Sequence, residues 1–339
     1  MKIQTIIIVA LVTILFACKK NKSTGGPPAN LVVTATVNPD QSGNVSFVAK
    51  ADNAVSYDFD FGNNSFLSVA NGIVTIKYAA TGNYNVTVVA KSSGGQSTTK
   101  TIQVNVTIRL NLVWSDEFNT DGAPDASKWG YDIGTGSNGW GNNELQYYTN
   151  RPENVTVSNG TLKIILKKEN FSGSGYTSTR LLSKDKYSIK YGKVEVRAKF
   201  PVGAGTWPAI WMLGNNINTV PWPACGEIDI VEHVGNQLNK IYGTLHYPGR
   251  SGGNANGATI NIPTATTDFN KYTLEWSASE IKISANDVVF FTFSNNNTVP
   301  FNQNFFFILN VAMGGNFGGT VDPAFTSSTM EIDYIRVYQ

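Results

Sequence analysis

The run Gly226-Glu227-Ile228-Asp229-Ile230-Val231-Glu232-His233 sets three carboxylates in an otherwise apolar, strand-like stretch. An ionised carboxylate leaves water only at a high free-energy cost, so acids in such a setting are paired or used. Crowded acids also repel one another, which leaves at least one holding its proton near neutral pH. A protonated acid beside an ionised one is the pair that cleaves a glycosidic bond. The competing reading is a polar edge, or a calcium site built from the same oxygens.

Strand geometry sharpens this. Side chains alternate between faces, so Glu227 and Asp229 share one face and Glu232 points away. One extra residue, a β-bulge within Ile230 to Glu232, would return Glu232 to the face of the other two. The two glutamates then stand about four strand steps, or roughly 13 Å, apart at Cα. Inward lean on a concave sheet narrows the carboxyl gap toward the ~5 to 5.5 Å of a retaining glycosidase.

Aromatic residues crowd the neighbouring segments. Trp207 and Trp211, in Trp207-Pro208-Ala209-Ile210-Trp211, share a strand face, and Trp222 follows between two prolines. Trp140 lies in a polar Gly/Asn turn where a large ring is hard to bury. Indole faces pack on sugar rings and the N–H donates a hydrogen bond. These four are candidate substrate contacts, whereas Trp114, Trp129 and Trp276 read as core. The two histidines lack zinc spacing; His246, on the next expected strand, orients an acid, binds sugar or is structural. Gly134 to Gly139 spells a dinucleotide fingerprint, but without a preceding parallel strand and following helix it reads as a loop.

With 339 residues, 15% charged and 12% aromatic, and 32 Gly, the chain suits two turn-rich all-β domains. A net charge of +2 gives no footprint for nucleic acid. The N-terminal apolar run Ile6 to Ala17 is short for a membrane span. It ends in Leu15-Phe16-Ala17-Cys18, which resembles a bacterial lipoprotein processing site with Cys18 lipidated. Residues 1–18 are thus read as a signal peptide, and no Asp follows Cys18, which favours the outer membrane. Ordinary secretion is the alternative. Only Cys225 remains, so no disulfide framework exists, and it reads as buried core.

Residues 19–30 form a Gly/Pro tether. Residues 31–108 show short alternating strands, such as Val45 to Val48 and Tyr84 to Val89. Ser56-Tyr57-Asp58-Phe59-Asp60-Phe61-Gly62-Asn63, with Thr81-Gly82-Asn83-Tyr84, resembles a polycystic-kidney-disease-type immunoglobulin-like domain, expected to act as a spacer. Residues 112–339 read as antiparallel strands, including Thr161 to Leu166, Gly192 to Lys199, Tyr272 to Trp276 and Phe305 to Asn310. That pattern implies a concanavalin-like jelly-roll sandwich after the immunoglobulin-like one.

The Glu-x-Asp-x-x-Glu pattern at Glu227, Asp229 and Glu232 resembles glycoside hydrolase family 16. The resemblance extends through Trp140-Gly141-Asn142-Asn143-Glu144-Leu145-Gln146, Tyr176 to Leu181, Trp207 to Met212 and Asn310 to Gly315, and is similar to the laminarinase branch of endo-β-1,3-glucanases. It implies Glu227 as nucleophile, Glu232 as acid/base and Asp229 as the residue orienting the nucleophile. It further implies a cleft lined by Trp140, Asn142, Arg180, Trp207, Trp211, Trp222 and His246. A structural calcium is implied at Asp333, with backbone oxygens near Glu117 and Gly160, and no cofactor takes part in catalysis. The expected partner is β-glucan and the expected state a lipid-anchored monomer. Rival substrates are mixed-linkage glucan, agarose and carrageenan. Transglycosylation and non-catalytic glucan binding are rival activities.

Overall fold

The computed structural model describes residues 26–78 and 81–339. The leader with Cys18, and the tether up to residue 25, lie outside them. The end of the expected tether belongs to the first strand, Ala29–Val37. Ala29 pairs with Asp52 there, and the Asn30 amide donates to the Asp52 carboxylate at 2.7 Å.

The first unit is a sandwich. Ala29–Val37, Asn44–Asp52 and Ile73–Lys77 make one sheet; Phe66–Val69, Ser56–Asp60, Gly82–Lys91 and Ser97–Val106 make the other. Alternation decides what is buried: Val45, Phe47 and Ala49 of one strand point inward while their neighbours do not. The Phe47, Phe59 and Phe61 rings fill the shared core, with centroids 5.5 to 6.2 Å apart.

The second unit is an all-β jelly-roll sandwich of a ten-stranded and a seven-stranded sheet. In the larger sheet Ser327–Tyr338 lies between Thr161–Phe171 and Gly192–Lys199. The smaller sheet runs Asn256–Asn261, Lys240–His246, Glu227–His233, Thr206–Gly214, Phe305–Met313, Arg180–Leu182, Gly130–Asp132. One face of this sheet packs on the core and the other is free to line a cleft. Trp129 and Trp276 are buried in that core and Trp114 packs against it. Cys225 is a buried free thiol. Among the described residues no helix is long and apolar enough to cross a membrane.

Candidate active site

On the acid-bearing strand Glu227–His233, Asp229 faces Thr244 and Glu232 faces Tyr242. Three steps on one strand therefore match two on its neighbour. Against the strand on the other side, Val231 faces Ile210 and Asp229 faces Trp211, which makes Ile230 the extra residue. This bulge reverses the parity of everything after it. Glu227, Asp229 and Glu232 consequently line one cleft of about 690 Å³. His233 turns into the core and stacks on Phe200.

Both glutamates receive an indole N–H. Trp222 Nε1 donates to Glu227 Oε2 at 2.9 Å, and Trp207 Nε1 donates to Glu232 Oε1 at 3.0 Å. The Thr244 hydroxyl donates to Glu232 Oε2 at 3.3 Å. His246 Nε2 stands 3.2 Å from Asp229 Oδ2 and 3.7 Å from Glu227 Oε1. The backbone N–H of Gly252 donates to His246 Nδ1 at 3.1 Å. The neutral ring therefore carries its proton on Nε2, facing the acids.

Burial dominates the electrostatics of the trio. It pushes Glu227 up to about 8, with the Asp229 charge adding and His246 opposing. Asp229, only 3% exposed, is raised well above the carboxylate range by burial and then by Glu232. Burial raises Glu232 as well, against the Trp207 N–H, His246 and Thr244. Three acids in one dry site share protons as a set. A proton on the deepest, Asp229, removes its repulsion from both glutamates.

Glu227, Asp229 and His246 are the group of metal-capable side chains found among the described residues, their ligand atoms within 4.8 Å of one another. A metal on Nε2 would need Nδ1 to donate its proton outward. Gly252 occupies Nδ1 as a donor, so the trio fits proton sharing instead. Asp333, the one side chain expected at a calcium site, already has a basic partner. Asp333, the extra residue where Ser327–Tyr338 bulges, pairs with Arg197, and Glu117 pairs with Arg336 through both oxygens. Gly160 holds a left-handed turn at φ 72°.

The remaining predicted residues also reach the cleft: Trp140, Asn142, Arg180, Trp207, Trp211, Trp222 and His246 all line it. Their roles are more specific than sugar contact. The Arg180 guanidinium sits between two indoles, 4.5 Å from the Trp140 ring and 4.9 Å from Trp211, and its Nε pairs with Asp132 at 3.0 Å. Trp140 is held at φ 57° between two left-handed glycines, Gly139 and Gly141, and flanked by Asn138 and Asn143, also at positive φ. Such a turn is strained for a large side chain and is kept only where its surroundings over-determine it.

Glu144, Thr244, Asn310 and Phe317 line the cleft without having been singled out in the sequence. Glu144 accepts from Gln146 at 2.7 Å, from the Tyr148 hydroxyl at 3.0 Å and from Asn142 at 3.3 Å. Asn310 donates to Tyr148 at 3.0 Å and accepts the Trp211 N–H at 2.7 Å. A polar residue inside the wholly buried strand Phe305–Met313 was the available signal for Asn310. Phe317 sits on the one-turn helix Gly315–Gly318, edge-on to Trp207, and no sequence pattern marks it.

The model of glycosyl hydrolases family 16 matches residues 142–336, which hold all three acids. A second model, beta-glucan synthesis-associated protein SKN1/KRE6/Sbg1, matches residues 54–220. The beta-glucanase of Rhodothermus marinus is 44% identical over 244 residues, covering 67% of this chain and 85% of that protein. The glucan endo-1,3-beta-glucosidase A1 of Niallia circulans is 37% identical over 259 residues, 68% of this chain, and the match spans 38% of its length. A solved LamA variant from Z. galactanivorans, in complex with laminaritriose and laminaritetraose, is 43% identical. It aligns with 68% of this chain and 100% of its own at a TM-score of 0.64. The bulged acid strand lies inside a family match that takes in more than half of the sequence, and the chain belongs to glycosyl hydrolases family 16.

Proposed function

We propose that the protein is a retaining endo-β-1,3-glucanase with Glu227 as nucleophile and Glu232 as acid/base. Glu232 gives its proton to the leaving oxygen as that oxygen parts from the anomeric carbon, and the Glu227 carboxylate bonds to the carbon. Water then adds to the same carbon, loses a proton to Glu232 and releases Glu227 as a carboxylate. Asp229 carries the shared proton that lets Glu227 ionise beside it.

One observation supports this reading above others: the Ile230 bulge turns Glu227 and Glu232 into the same cleft, each held by its own indole donor. The β-1,3 linkage rests on the relatives named above. A sulfated galactan is disfavoured, because Arg180, the one Lys or Arg side chain lining the cleft, is already paired with Asp132.

Purified protein should release oligosaccharides from laminarin in preference to lichenan, agarose and carrageenan, with the new reducing end in the β configuration by early-time NMR. Glu232→Ala should lower turnover about 100- to 10,000-fold, and Glu227→Ala should abolish it, both with circular dichroism unchanged. Near-normal activity in either variant overturns the assignment. Transfer products in place of reducing sugar would identify a transglycosylase.

The first unit is proposed as a polycystic-kidney-disease-type spacer, and the leader as the anchor of an exported outer-membrane lipoprotein. Globomycin-sensitive processing and lipid labelling that disappear in Cys18→Ala test the anchor.

A further inference from the structure

We propose that Trp222 and Trp207 are positioning residues that set the ionisation of the two glutamates separately, Trp222 for Glu227 and Trp207 for Glu232, rather than sugar platforms alone. This rests on the proposed roles of those glutamates. The geometry is reciprocal: each indole N–H ends on one oxygen of one glutamate, at 2.9 Å and 3.0 Å. An N–H donated to a carboxylate favours its charged form. Both indoles also have aromatic neighbours. Trp207 and Phe317 stand perpendicular with centroids 5.5 Å apart, and Trp222 is tilted against His246 with centroids 5.8 Å apart.

The two donors have opposite consequences for the reaction. Glu227 must be ionised to attack, so Trp222 favours the reactive form. Glu232 must begin protonated. Oε1 accepts the Trp207 N–H at 3.0 Å and Oε2 the longer Thr244 hydroxyl contact at 3.3 Å, so the transferable proton belongs on Oε2, where the hydroxyl can turn to accept it. Trp207 therefore marks which oxygen faces the leaving group and keeps that proton labile. The other charged groups facing Glu227 are Asp229 and Glu232 on its own strand, His246 from the next strand and Arg180 from across the sheet. Asp229 and His246 face Glu232. Neither tryptophan substitution changes any of these charges.

The test is the pH profile of kcat/KM on soluble laminarin for the full chain, Trp222→Phe and Trp207→Phe. Phenylalanine keeps a stacking face, though a smaller one, and loses the donor. Trp222→Phe should move the acidic limb up by about one pH unit, a roughly tenfold loss on that limb, and move the alkaline limb by clearly less. Trp207→Phe should move the alkaline limb up by a similar amount. Limbs that stay put while KM rises would overturn the proposal and leave the rings as platforms. Trp222 is 44% exposed, so its variant keeps the fold, and its acidic limb decides alone if Trp207→Phe fails to fold. Labelling of the wild type at Glu227 by an epoxyalkyl β-glucoside separates the two levels. An unlabelled, inactive wild type sinks the hydrolase reading, whereas a labelled, active one with unmoved limbs sinks only this inference.

Discussion

His246 Nε2 lies 3.2 Å from Asp229 Oδ2, while the Gly252 N–H closes on the opposite nitrogen of the same ring at 3.1 Å. The loop backbone thus decides which way the imidazole points its proton. Asp229 Oδ2 is a buried oxygen that makes no hydrogen bond of good geometry, so the imidazole meets it as a close polar contact. Removing the ring takes away the polar group facing this oxygen and the one that opposes the upward shift of both glutamates. His246→Ala should therefore lower kcat about tenfold or more. His246→Gln places an amide donor near the Nε2 position and should recover part of the loss. Equal kinetics for the two variants would show that donation to Asp229 is not what His246 supplies.

Glu227 carries a second consequence, in stability. Its folded-state value of about 8 lies above the usual 4.5, so the folded protein holds this proton more tightly than the unfolded chain. Stability from that difference is complete below about pH 4.5 and is lost as pH rises toward 8. Glu227→Gln removes the titration and keeps the shape. Its melting temperature should exceed that of the wild type by a few degrees near pH 8, on the order of 2–5 °C, and the gap should close toward pH 4.5. A gap independent of pH would place the buried charge elsewhere in the trio.

The bulge was legible because chemistry and strand parity conflict: three acids cannot share a face at positions 227, 229 and 232 unless one residue is extra. Sequence could not choose which residue, since Ile230 and Val231 are equally apolar and both end up buried. The cleft aromatics were legible as a set, but their N–H directions were not. These depend on side-chain torsions and on a loop, Pro221 to Gly226, with no periodicity to read. The arginine partners of Asp333 and Glu117 were hidden for a related reason. Arg197 and Arg336 come from register across the larger sheet, and register is invisible in local pattern.

Deleting Ile230 tests the bulge directly. With one residue fewer, the strand regains simple alternation, and Glu232 must leave the cleft or Glu227 and Asp229 must. Activity on laminarin should fall below detection. Far-ultraviolet circular dichroism should still report the sandwich, because Val231 supplies a core side chain in its place. An active deletion variant would mean that both carboxylates reach the substrate without the extra residue.

Arg180 braces the aromatic wall of the cleft. Its guanidinium spaces the Trp140 and Trp211 rings while Asp132 balances its charge. Cation–π contacts of this kind contribute about 0.5–2 kcal/mol each. Arg180→Met keeps the length of the side chain and removes both the charge and the planar fit. The strained Trp140 turn then loses one of the groups that hold it, so the binding wall loosens while the acids stay in place. KM for laminarin should rise about three- to tenfold with kcat nearly unchanged, and tryptophan fluorescence should shift even without substrate. A fall in kcat at constant KM would instead tie Arg180 to the charge that develops at the reacting carbon.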